Sequence, residues 1–315
     1  MLAVLGALFA NGLITILKFI AAIFTGSSGM MAESLHSLAD TVNQVFLLFG
    51  LRFYKRPASE KHPFGFGKER FFWSFIAAIF IFGVGATYAI YEGIEKIRHP
   101  HEITNLALAY WILGISFVLE AASIVLALYQ EIKEAHHEGL TFGEYLRESK
   151  DPTAKTVIFE DSAALVGIVL AAAGLLLGQY KIPPAEGVMW DGIASVAIGV
   201  VLAIVAFGLA RSSRGLLLGE AATPKNVEAI RQAIKSHPSV VEVVELLTMH
   251  LAPKQILVNA HVSLKNDLTN EQIIETIAEI EENMKKAEPK VDMIFLETAS
   301  LKNSNGKEVN PKHIG

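Results

Sequence analysis

The chain has 315 residues, 52% of them hydrophobic and 19% charged, with a net charge of −5 and a mean hydropathy of +0.40. That hydropathy lies above an ordinary soluble domain and points to a membrane. The absence of cysteine excludes disulfides, thiolate metal ligands and cysteine nucleophiles together, and no nucleic-acid partner is expected of a chain with this acidic balance.

The apolar residues fall into blocks. Residues 1–24 are apolar apart from Asn11 and Lys18, Gly26 to Gly29 mark a turn, and a second apolar stretch runs from about Met30 to Tyr54. Residues 71–91, 103–119, 162–180 and 192–210 are runs of about 17–21 residues without Asp, Glu, Lys or Arg, each long enough to cross a hydrocarbon core of roughly 30 Å. The expected architecture is a polytopic α-helical membrane protein with six transmembrane helices over residues 1–212. A signal peptide is a poor reading of the first block, which has neither a basic start nor a small-residue cleavage pattern.

Lys and Arg in the short connections set the orientation. Arg52, Lys55, Arg56, Lys61, Lys68 and Arg70 follow the second span, and Lys133, Arg147, Lys150 and Lys155 follow the fourth. The opposite side has only Lys96, Arg98 and Lys181, so both termini are expected to be cytoplasmic.

Residues 213–315 are expected to form a cytoplasmic C-terminal domain. Thr223 and Pro224 read as an N-cap and a first-turn proline, and Val227, Ile230 and Ile234 give one apolar helical face. Residues 240–249 and 255–264 read as a hairpin turning at 252–255. Thr269 with Gln272 forms a capping-box pattern, and residues 291–298 supply a third strand. The order αββαβ suggests a ferredoxin-like or metallochaperone-like domain, followed by a disordered tail after about residue 299. So small a domain would bury more by pairing with a second copy, which makes a homodimer the expectation.

The second apolar stretch contains MAESLHSLAD at residues 31–40. His36 and Asp40 stand four apart, on one helical face, with Glu33 and Asn43 extending the stripe. Ionisable groups in a bilayer are costly and by default mark a functional site, the plainer alternative being a hydrogen bond between helices. Glu160 and Asp161 open the fifth apolar block. A second helix starting near Ser28 puts Asp40 about 18 Å down from one side, and a fifth starting near Thr153 puts Asp161 about 12 Å up from the other. The two carboxylates can therefore lie at one depth. One imidazole and two carboxylates suit a divalent cation such as Zn²⁺, Mn²⁺, Fe²⁺ or Co²⁺, and they must lose protons to bind it. Exchange of metal for protons is the natural chemistry. For Glu160, the plainer reading is a carboxylate at a helix start near the interface.

These residues carry a resemblance. TGSSGMMAESLHSLAD, HPFGFGKER, DGIASVAIG, LLLGE and the αββαβ tail together resemble the cation diffusion facilitator family, and RESKDPTAKTVIFEDSAAL looks most like its zinc transporter nine branch. The resemblance implies a central metal site with ligands at His36, Asp40 and Asp161. It also implies a departure: the other ligand of the fifth helix falls on Val157, leaving Glu160, Asn43 or water to complete the shell. The family's loop site is reduced to His62, with Phe66 and Ser59 at the other ligand positions. In the tail His261 matches a ligand position, Glu245 and Phe295 stand where histidine is common, Glu297 keeps a carboxylate and His250 is extra.

What the resemblance implies overall is a homodimeric exporter of a divalent metal, zinc as first choice, working by proton antiport and alternating access, with no resident cofactor and no enzymatic activity. The cell (inner) membrane is the expected location. Manganese or iron(II) export, a passive channel or importer, and an intramembrane hydrolase built on Ser34, Ser37, His36 and Asp40 stand as alternatives. Asp151, Lys155, Glu131 and Glu134 are candidates for closing ion pairs, and His136 and His137, placed in the loop after the fourth span, for metal capture, although solvated charges are the plainer reading.

Overall fold

A computed structural model describes residues 2–137, 139–148, 152–180 and 184–298. The apolar blocks form α1 (Leu2–Thr25), α2 (Ser28–Phe53), α3 (Glu69–Phe80), α4 (Thr87–Arg98), α5 (Leu106–His137), α7 (Pro152–Tyr180) and α8 (Pro184–Leu218), and a short α6 (Phe142–Glu148) follows α5. A π-helical segment at Ile81–Ala86 joins α3 to α4 in one rod. The rods Glu69–Arg98, Leu106–His137, Thr156–Gln179 and Val188–Leu218 are long and apolar enough to cross a membrane. α1 is 24 residues long and apolar apart from Asn11, Thr15, Lys18 and Thr25, and α2 is diluted by the polar residues of its stripe.

The chain divides into two compact units, residues 1–57 with 69–214 and residues 58–68 with 215–315. Small side chains dominate the interior of the first: Ala21, Ala32, Ala86, Ala89, Ala109, Ala163 and Ala171 are buried with Met30, Leu113, Leu175, Ile198 and Leu202. Small residues let helices approach closely where lipid supplies no hydrophobic drive between them. α4 and α8 approach closely at a pair of glycines, where a Cβ on Gly93 would lie 2.6 Å from the Gly192 carbonyl oxygen.

The turn from α1 into α2 is fixed from three directions. Gly26 takes φ +65°, which glycine adopts at little cost. Lys96 on α4 donates to the Gly26 carbonyl at 2.6 Å. Asp191 on α8 accepts from the Ser28 amide at 2.6 Å, the Gly29 amide at 3.1 Å and the Ser27 hydroxyl at 2.6 Å. A carboxylate on the free amides at a helix start satisfies donors that have no partner inside the helix and complements its dipole. The start of α2, and hence the depth of its polar stripe, is set there.

The second unit has the order α9 (Pro224–Lys235), β1 (Val240–Ala252), β2 (Gln255–Leu264), α10 (Asn270–Ala287) and β3 (Val291–Thr298). The central β2 pairs antiparallel with β1 and parallel with β3, the latter through the α10 crossover. Thr223 caps α9, and Thr269 with Gln272 forms a complete capping box on α10. Alternate residues of β2, Ile256, Val258, Ala260 and Val262, are fully buried with Ile230, Ile234, Ile280 and Met284. Residues 58–68 belong to this unit: Lys68 donates to the Leu217 carbonyl at 3.3 Å, and a Cβ on Gly67 would lie 2.5 Å from the Leu251 carbonyl oxygen.

Several boundaries differ from the sequence expectation. α5 continues well past residue 119, so Glu120 lies inside it and His136 and His137 occupy its last turn instead of a loop. α7 begins at Pro152, beside the start expected near Thr153, so Glu160 lies about two turns in and not at the helix start of its plainer reading. Asp151, the Lys155 side chain and the tail after residue 298 lie outside the described residues.

Candidate metal-ion site

α1, α2, α5 and α7 line a cavity of about 100 Å³, whose polar residues include Asn11, Asp40, Asn43, Glu120, Ser123, Glu160 and Asp161, with Val157 beside them. Asp40 of α2 and Asp161 of α7 thus line one space. Glu160 and Asn43 line it in contact with each other, the Asn43 amide donating to the Glu160 carboxylate. Ser123 on α5 donates to Asp161 at 2.8 Å.

The donor atoms here are under-used. Asp40 Oδ1, Asn43 Oδ1 and Glu160 Oε1 are buried without a hydrogen bond. Glu160 is only 6% exposed. Buried polar atoms are ordinarily paired, and an unpaired carboxylate oxygen in an apolar setting is expensive, so these oxygens suit a cation. Among the described residues no three His, Asp or Glu side chains already share one ion-sized space.

His36 is placed differently from its sequence expectation. It is 1% exposed and does not line the cavity; its Nδ1 lies 3.4 Å from Asp40 Oδ1, and neither ring nitrogen makes a hydrogen bond. Glu33 does not join the cavity either: its carboxylate pairs with Lys18 of α1 at 3.2 Å, both side chains fully buried, and Lys18 also donates to Ser37 at 2.7 Å. The hydrolase arrangement is not assembled, since Ser34 donates to the Met30 carbonyl and Ser37 is taken by Lys18.

In the second unit the register sets Glu245, His261 and Glu297 side by side across the three strands. His261 Nε2 lies 3.0 Å from Glu297, and Nδ1 3.8 Å from Glu245. Glu297 is largely exposed, and exposed pairs of this kind contribute little. His62 stacks against the Phe66 ring at 4.5 Å between centroids, an apolar contact at the degraded loop site.

Sequence reading missed Glu120. The signal was present, since it is the sole charged residue between Leu106 and Gln130, but the apolar run was closed one residue before it.

Apolar rods around a carboxylate-lined cavity, with a small αββαβ unit after them, define a multi-pass membrane protein built to handle a cation. Residues 4–218 match the cation efflux transmembrane domain and residues 222–296 the cytoplasmic domain of cation efflux proteins, so the chain belongs to the cation efflux family. This is the family that the motifs resembled. Its relatives include the proton-coupled zinc antiporter SLC30A9, mitochondrial, of Mus musculus, 35% identical over 75% of this chain and 41% of that protein. Metal tolerance protein C4 of Arabidopsis thaliana is 35% identical over 74% of this chain and 50% of its own length. The cation-efflux pump FieF of Shewanella oneidensis is 26% identical over 82% and 79%. The chain spans about half the length or less of the first two.

Proposed function

We propose that the protein exports a divalent metal ion, zinc before others, in exchange for protons, as a homodimer with six spans per subunit, both termini on the cytoplasmic side, and alternating access to the cavity. The observation that carries this reading is the pair of buried oxygens on Asn43 and Glu160 that make no hydrogen bond, on residues lining one cavity with Asp40 and Asp161. Zinc and proton coupling are supported by relatives named proton-coupled zinc antiporters. Those relatives are named mitochondrial, and the reading applies to a multi-pass protein of an organellar or a cell membrane.

Carboxylates that shed protons to bind a cation couple loading to low proton concentration and release to high. Asp40 and Asp161 hold the ion, Glu160 and Asn43 complete its polar surroundings, and His36 positions Asp40. The cavity donors are oxygens, a set that also suits manganese, so the test includes it.

The experiment is metal uptake into proteoliposomes with a pH-sensitive dye inside, run with Zn²⁺, Mn²⁺, Fe²⁺ and Co²⁺ in competition. Zinc movement driven by an imposed pH gradient, with matching proton counterflow, is expected. Transport indifferent to the gradient would replace antiport with a passive pathway. Asp40→Ala and Asp161→Ala are each expected to abolish uptake while the protein still purifies folded; full activity in both would rule the site out.

A further inference from the structure

The site so far draws on α2 and α7, yet a third helix enters it. Glu120 is the sole ionisable residue in the central part of α5, about 21 Å from the start of that helix, and it lines the same cavity as Asp40, Glu160 and Asp161. Among the described residues its carboxylate makes no hydrogen bond or ion pair, while Ser123, one turn on, is engaged by Asp161. A carboxylate at such depth without a partner is unfavourable unless something neutralises it. Val157 of α7 lines the same cavity with an apolar side chain.

A group of carboxylates alone would not define a site. Here a second observation points to a ligand: Glu160, 6% exposed, and Asn43, 1% exposed, line the same space and each hold a buried oxygen that makes no hydrogen bond. We infer that Glu120 supplies the ion-binding carboxylate that α7 lacks at Val157, so that the cation's donors come from three helices, α2, α5 and α7. This inference rests on the proposed site and extends it to α5. It makes the cavity richer in oxygen donors than α2 and α7 alone would, and it ties the ion to a helix whose sequence shows only one charge in its apolar part.

The test is zinc binding by the full-length purified protein, measured by equilibrium dialysis with radiolabelled zinc and paired with thermal melting in detergent. Glu120→Gln is expected to weaken binding by about tenfold or more with the melting temperature held or raised, since it removes an unpaired charge. Glu120→Asp should retain part of the affinity. Adding Val157→Asp to the Glu120→Gln protein should restore binding, because it returns a carboxylate to the lining of the same cavity. Wild-type affinity in Glu120→Gln, alongside loss in Asp40→Ala and Asp161→Ala, would overturn the inference and leave the site standing. Loss in Glu120→Gln that Val157→Asp fails to restore would make Glu120 a structural residue and also overturn it. Wild-type binding in Asp40→Ala and Asp161→Ala would remove the site itself, and the inference with it.

Discussion

Lys18 and Glu33 are each fully buried, 3.2 Å apart, and the Glu33 side chain lies where a Cβ on Gly167 of α7 would have to be. Removing one member of a buried pair leaves an uncompensated charge, which typically costs about 3–5 kcal/mol. Lys18→Ala is therefore expected to lower thermal stability in detergent sharply, and Lys18→Met combined with Glu33→Leu to recover most of the loss. Equal melting temperatures for the single variant and the wild type would show that the pair carries no stability. Residue types and spacings made Asp40, Asn43, Glu160 and Asp161 legible in advance, because a helical period fixes which side chains share a face. His36 and Glu33 share the polar stripe without lining the cavity, for a physical reason. Period places a residue on a face, but the neighbouring helix decides whether it meets a cavity or a counter-ion. Glu33 meets Lys18, and His36 lies buried beside Asp40.

At the scale of the element, Asp191 shows how one side chain positions a helix it does not belong to. Its carboxylate takes two backbone amides and two hydroxyls at the start of α2, so Asp191→Ala strips the cap and leaves those buried donors unpaired. A loss of about 2 kcal/mol is expected, with Asp191→Asn retaining some of it, read by thermal melting. Metal uptake should also fall, since α2 carries Asp40 and Asn43 three to four turns further on. Undiminished uptake and stability would show that α2 is positioned by packing alone. The Asp191 cap was not visible from sequence, where Asp191 stands just before an apolar run and its partners lie more than 160 positions away. Local signals fared better: the caps at Thr223 and Thr269 and the boundaries of the hairpin follow from neighbours along the chain. The π-helical segment at Ile81–Ala86 left no comparable mark, because it changes hydrogen-bond register without changing hydropathy.

For the molecule as a whole, the open face of the β-sheet bears on assembly. Leu247 and Phe295 both stand in register with Asn259 of the central strand, and they are 53% and 52% exposed. Phe64 packs edge-on to Phe295 at 6.4 Å, extending the apolar surface, while Glu245 and Glu297 occupy the adjoining row. An apolar patch with a polar border on an otherwise well-packed small domain marks a surface for association, and a second copy would bury it at the least cost in new surface. His261 sits within that border and makes only weak, partly exposed pairs, so His261→Ala is expected to alter transport less than about twofold. The homodimer itself is tested by light scattering on the full chain in mild detergent, which should give a protein mass of twice 34.3 kDa. Leu247→Glu with Phe295→Glu places like charges on the contact in both copies and should shift that mass toward the monomer with circular dichroism unchanged. A dimer that survives both substitutions would place the contact in another part of the molecule, and a wild-type monomer would remove the homodimer from the proposed function.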